Sequence, residues 1–357
     1  MTMKQVLFVF SLLFLFIGTK AQSLADKELE RIASGALAEE ISCCPEGTIR
    51  YAGAVVMEIA TGNVVANVSL FYRNGEFIKV PNGNTQHVPS GLGRSVLYLA
   101  MMPQTNPYMV QDVGDGLYID SSGCSIEDHN HKRGGYGLMD VKRAYARNSD
   151  IGVLKTAETF WGKDMRKFSE SIKGTGINMG ERVSTGYGVE WQSHDVLGHT
   201  TFMSLLQQVC WCNAVAGGKF FIRTDKNDPT IPYDYITNQE ALDSLRSAMR
   251  ECVTDGLGRR MDSEHVSVAA MTNVSQKDAD GYKGQFAAAF FPYEKPEYTI
   301  GVYIWRNWGK GYANPSDVAR SMIDWIAFNR LSKPPYLSFE DNQSIKHRDD
   351  WVHPAAR

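Results

Sequence analysis

Apolar residues recur along this chain with two different periods, and the switches between them mark out its elements. Residues 24–41 (LADKELERIASGALAEEI) put Leu29, Ile32, Ala33, Ala36, Leu37 and Ile41 on one stripe, the repeat of an amphipathic helix. Residues 52–59 and 64–70 are β-rich runs, and Ala60-Thr61-Gly62-Asn63 between them has the composition of a hairpin turn. A compact apolar helix is expected over 92–102, where Pro103 stops it. Further buried helices are expected over 141–160 and 202–216, the second ended by Gly217-Gly218.

The last third changes character. Residues 266–274, 284–292 and 298–305 read as three successive strands, and 315–331 as a closing helix with Val318, Met322, Trp325 and Ile326 on one face. Two early strands, a long helical middle and three late strands predict an α+β fold whose strands join into one five-stranded, mainly antiparallel sheet flanked by helices. No internal repeat or low-complexity tract interrupts it. Residues 332–357 are polar and Pro-containing and are expected to form a tail outside the packed domain.

The first 22 residues alter the picture of where the protein acts. They carry Lys4, an apolar run over 6–17 and a Gly18-Thr19-Lys20-Ala21 end with small residues spaced for cleavage, the pattern of a signal peptide. The run is shorter than the roughly 20 residues that span a bilayer, so a cleaved leader is expected before an uncleaved inner-membrane anchor, and a periplasmic or secreted domain over 23–331. Losing Lys4 and Lys20 takes the formal charge from −3 to about −5, which argues against nucleic acid or an anionic membrane as partner. The six cysteines are even in number, as a secreted chain allows, but Cys43 and Cys44 are adjacent and Cys210 and Cys212 fall in an apolar helix. Buried thiols are therefore expected in preference to a zinc site.

Several segments, in order, resemble the transpeptidase domain of class B penicillin-binding proteins. GAVVMEIATGNVVANVS resembles its opening strands; Asp128-His129-Asn130, Gly134-Gly135-Tyr136-Gly137 and RNSDIGVLKTAE resemble the approach to its second motif. Gly186-Tyr187-Gly188 and FMSLLQQVCWCNAVAGGKFF resemble the stretch before its last strands. The resemblance covers about 24–331 and implies the same sheet together with an all-helical subdomain.

The chemistry that the resemblance implies is missing at each motif. The family needs a serine nucleophile one helical turn before a lysine; in VPSGLGRSVLYLA the matching positions hold Gly91 and Arg94. Glycine offers nothing to acylate, and an arginine stays charged and cannot act as general base. At the second motif, serine then asparagine two residues on, stand Asn148 and Asp150. At the third, Lys-Thr/Ser-Gly, stand Met271, Thr272 and Asn273. No serine in the 357 residues has lysine three positions later, and no lysine precedes Thr-Gly or Ser-Gly, so a shift of register restores nothing.

Two functions follow as expectations. The first is a catalytically inactive domain that binds peptidoglycan stem peptide or a cell-wall synthesis partner, with Arg94, Asp150 and Thr272 facing the ligand beside an edge strand. The second is a weakly active D,D-transpeptidase, carboxypeptidase or penicillin-binding enzyme that uses Ser90 as a displaced nucleophile. A closed cleft is weighed against both, with Arg94 paired to Asp150 and Met271 in the core. Neither cofactor nor metal is expected: the clusters Asp128/His129/His131 and His194/Asp195/His199 are read as structural hydrogen bonding. A Ser/His/Asp hydrolase built on Ser90 or Ser149 lacks an elbow motif.

Overall fold

The structure is a computed structural model and describes residues 25–80, 87–89, 92–121, 123–175, 191–199, 202–221, 232–275 and 277–331. The expected leader 1–22, Ser90, Gly91, Gly186-Tyr187-Gly188 and the tail 332–357 lie outside the described residues.

The first helix, α1 (Ala25–Ser42), forms where the apolar stripe predicts it and buries Leu29, Ala33, Leu37 and Ile41. Each such leucine or isoleucine contributes about 1.5–3 kcal/mol by leaving water. The predicted hairpin follows: β1 (Ile49–Glu58) pairs antiparallel with β2 (Val64–Arg73), Ala54 opposite Val68. The chain then turns through Asn74 and Gly75, with φ of 51° and 87°, into β3 (Glu76–Lys79). Positive φ at both positions is what a two-residue hairpin turn requires. The third strand is exposed along its whole length, so no hydrophobic alternation announces it.

The helical middle contains α2 (Gly93–Met101), α3 (Val141–Ala146), α4 (Asp150–Trp161), α5 (Met165–Gly174), α6 (Leu205–Gly217) and α7 (Gln239–Thr254). The expected single helix over 141–160 is broken by Arg147–Ser149, where Asn148 has φ of 53° and Ser149 caps α4 by accepting from Gly152 N. The apolar run over 202–216 becomes helix only from Leu205, after a reciprocal capping box between Ser204 and Gln207. This half also carries short two-stranded ladders, Val110–Asp112 with Leu138–Asp140 and Leu117–Ile119 with Ser125–Glu127, where an all-helical subdomain was expected.

The late strands β4 (Ala269–Val274), β5 (Tyr282–Phe291) and β6 (Tyr298–Asn307) precede the closing helix α8 (Pro315–Ile326). The main sheet has the order β4-β5-β6-β1-β2-β3 and every pairing is antiparallel, six strands where five were expected. Its middle is buried on both faces, which is why these strands read as unbroken apolar runs. Along β1, Tyr51, Val55 and Met57 join the core under α2 to α7, whereas Ala52, Ala54 and Val56 join the core under α1 and α8. The edge strand β4 splits likewise, with Met271 on the first side and Ala270 on the second.

Gly93 opens α2 against the backbone of Leu197 and Gly198, at a separation that leaves no room for a Cβ. Gly93→Ala is expected to lower stability by roughly 1–3 kcal/mol through overpacking against backbone that cannot rotate away. Gly35, exposed inside α1 with open space where a Cβ would stand, is the control. Gly35→Ala is expected to stabilise by about 0.5–1 kcal/mol, and urea midpoints of the two variants separate these outcomes.

Candidate active-site cleft

Three pieces of chain meet where the degenerate motifs were expected: the start of α2, the α3–α4 junction and the edge strand β4. Arg94, one residue into α2, is only 3% exposed. Its Nη1 donates to Asp150 Oδ1 at 2.5 Å, and its Nη2 donates to Asn148 Oδ1 at 3.0 Å and to the Thr272 carbonyl at 2.8 Å. Asn148 closes the ring by donating from Nδ2 to Thr272 Oγ1 at 2.8 Å. The left-handed backbone at Asn148 turns its amide toward both partners, a conformation that asparagine adopts more readily than most residues.

Asp150 is the first residue of α4, where the unpaired N–H groups of the helix start favour a negative charge. Its second oxygen meets His199 Nε2 at 2.9 Å, and His199 Nδ1 meets His194 Nδ1 at 2.9 Å. Burial alone would raise the Asp150 carboxyl; the Arg94 charge and the His199 bond outweigh it and hold the group well below the usual carboxylate range. Beneath this pair lies a second carboxylate. Asp128 is 1% exposed, accepts from Ser149 Oγ at 2.5 Å, and is pushed up from the usual 3.8 to about 6, first by burial and also by the nearby Asp150 charge.

The candidate residues within the described chain therefore have a place. Arg94, Asn148, Asp150 and Thr272 are brought into one hydrogen-bonded ring. Met271 is 2% exposed and packs in the core below it, beside the buried Asn273. Gly91 and Ser90 lie outside the described residues. The expectation that Arg94 would present its charge to a ligand meets an enclosed guanidinium instead, because two carbonyl acceptors and a carboxylate from this chain already surround it. Three hydroxyls beside the ring are also engaged: Ser149 with Asp128, Thr272 with Asn148, and Ser95 with Tyr145 Oη at 2.9 Å.

Of the two clusters weighed as metal sites, His194 and His199 stay together as a hydrogen-bonded pair, whereas Asp128, His129 and His131 turn to separate partners. Asp128 turns to Ser149, His129 Nε2 to the Tyr136 hydroxyl at 3.2 Å, and His131 Nδ1 to the Asp115 carbonyl at 3.0 Å. The structure reveals two links that spacing could not announce, His199 with Asp150 and Asp128 with Ser149. Their partners are separated by 49 and 21 residues of chain.

Comparison with solved structures fixes the architecture. The transpeptidase domain of Burkholderia pseudomallei penicillin-binding protein 3 matches 87% of this chain and 97% of its own length, with a TM-score of 0.64 at 16% identity. The fold is that of a penicillin-binding transpeptidase domain. Penicillin-binding protein 3 of Mycobacterium tuberculosis, solved with aztreonam, gives a TM-score of 0.67 at 16% identity over 86% of this chain and 79% of its own. Penicillin-binding protein 2B of Streptococcus pneumoniae gives 0.67 at 13% identity, over 87% of this chain and 59% of its own. No family model and no curated protein sequence matches. The chain thus shares the transpeptidase fold with these proteins at 13–16% sequence identity.

Two stability measurements probe the ring. Arg94→Leu strands Asp150 in a largely dry site and is expected to cost about 3–5 kcal/mol at neutral pH, seen as a lowered urea midpoint. Asp128 has its folded value raised above its unfolded one, so its contribution is fully present below about pH 4 and is lost as pH rises through 6. Asp128→Asn is therefore expected to gain roughly 2–3 kcal/mol relative to the parent chain between pH 4 and pH 7, read from denaturation at both ends.

Proposed function

We propose that this chain is an exported transpeptidase-fold protein that no longer performs acyl transfer and instead binds an extended peptide, either peptidoglycan stem peptide or a segment of a cell-wall synthesis protein. The observation that carries the reading is the closed ring of Arg94, Asp150, Asn148 and Thr272. In the fold's usual chemistry, this is where a lysine must accept a proton and a serine must attack. Arginine does not release its proton at any pH at which the protein is folded. His199 is bonded to a carboxylate and to no hydroxyl, and Ser149 and Asp128 are enclosed at 0% and 1% exposure, so neither pair presents an accessible nucleophile beside a base.

Peptide recognition needs less than catalysis does. An extended ligand joins a sheet edge through backbone groups alone. Ser275 N–H donates to the Gly284 carbonyl, and alternation along the ladder then turns the backbone groups of Thr272 and Val274 outward from β4. Arg94 already takes the Thr272 carbonyl, which leaves the Val274 end, with its exposed side chain, as the place for a docking strand. Among the described residues no helix is long and apolar enough to cross a membrane.

The reading is tested by the intact mass of the domain after long incubation with a reactive β-lactam, beside an active transpeptidase. An unchanged mass is expected; a stoichiometric adduct mapped to Ser90 would establish the displaced-nucleophile enzyme instead. Binding is tested separately by calorimetry with a synthetic stem pentapeptide. Val274→Pro, which removes an outward N–H, is expected to weaken it by at least about tenfold.

A further inference from the structure

The short helix Ser193–Val196 and the turn after it stand against the start of α2, and one side-chain chain ties them to the cleft. His194 bonds His199, His199 bonds Asp150, and Asp150 bonds Arg94. The Asp150 oxygen is an acceptor, so His199 Nε2 donates. The two Nδ1 atoms, 2.9 Å apart, then share a single proton, whichever ring supplies it. If both rings are charged, N–H faces N–H across that gap. The bond becomes a repulsion between two cations.

The surroundings of His194 disfavour a charge on its ring. His194 is half-buried and faces the Ser125 backbone, the carboxylates of Asp120 and Asp150, and His199; Arg94 stands beyond Asp150, and Asp195 is its chain neighbour. Burial first, and then the neighbouring His199, hold the His194 imidazole below the ordinary histidine range. The segment is otherwise anchored by Val196 and Leu197 in the core and by Trp191, whose ring centroid lies 6.2 Å from that of Trp161 and 6.0 Å from that of Phe168.

We infer that the His194–His199 pair is an acid-operated latch, in which double protonation releases residues 191–199 from the start of α2 and opens that side of the cleft. The latch is closed at neutral pH, when at most one proton lies between the rings. The open population rises by up to about tenfold per pH unit as pH falls below the His194 value in the released state, and levels off once pH is below its lower value in the closed state. Release also uncouples His199 from Asp150, so the segment and the ring respond together. An exported domain meets such pH changes directly.

Hydrogen–deuterium exchange of peptides spanning 191–199, corrected for intrinsic rates, tests the latch between pH 7.5 and pH 4.5. Protection is expected to fall at least about tenfold in the acid range, while peptides from β1 and β6 stay protected. His194→Gln retains a hydrogen-bonding side chain but cannot take the second charge, and is expected to keep the segment protected throughout. His199→Gln removes the link to the carboxylate and is expected to leave the segment open even at pH 7.5; its thermal melt at that pH shows whether the fold survives. Invariant protection in the parent chain overturns the inference. So does an acid transition with the same midpoint in the His194→Gln protein.

Discussion

A guanidinium that is almost fully withdrawn from water dictates much of what surrounds it. Burying a cation costs several kcal/mol unless a counter-charge and hydrogen bonds replace its hydration. Arg94 recovers this from three separate stretches of chain: a carboxylate at the start of α4, an amide from the bend before it, and a backbone carbonyl on the edge of the sheet. Each partner must be held in place for the others to be useful. The left-handed turn at Asn148, the capping of α4 by Ser149 and the outward aim of Thr272 are thus mutually dependent, and loss of one would expose the rest to an unpaired charge. The result joins sheet and helices across the line where the start of α2, the α3–α4 junction and the sheet edge meet.

Most of the architecture was legible in the sequence because it rests on burial, and burial leaves a periodic trace. The stripe of α1, the runs of β1, β5 and β6 and the face of α8 all appear as apolar repeats at the spacing of their elements. The sixth strand left no such trace, since Glu76–Lys79 is exposed on both sides, and the signal that marks it is the Asn74-Gly75 turn. The expected helix over 141–160 bridges Arg147–Ser149 because apolar residues lie on both sides, although the polar run Arg147-Asn148-Ser149-Asp150, with Ser149 in an N-cap position, marks the break in the sequence itself. Likewise α7 is strongly amphipathic, but its Arg- and Glu-rich exposed face hides the buried Leu242, Leu245 and Met249 from a reading that looks for apolar runs.

The cleft divides in the same way. That Arg94, Asn148, Asp150 and Thr272 come together followed from the order of motif-like segments, and the pairing of Arg94 with Asp150 was weighed from charge alone. The histidines were visible only as a local cluster. Their connection to Asp150 depends on a fold that brings residue 199 beside the start of α4, and contacts over such distances carry no local pattern. Asp128 is a similar case, because a buried carboxylate next to a serine looks in sequence like any loop aspartate.

One pairing carries a consequence for how the chain becomes a protein. The central strand β1 has β6 as its neighbour, so that Ala54 lies opposite Val302. Residues at the two ends of the described chain must meet before the middle of the sheet exists. Until β6 is available, β1, β2 and β3 can form only a three-stranded meander whose β1 edge is unpaired and whose faces lack a completed core. The helical middle, meanwhile, has lost the floor against which it packs. Completion of this domain's sheet therefore waits on the arrival of its last strands, which makes its folding a late event in the synthesis of the chain.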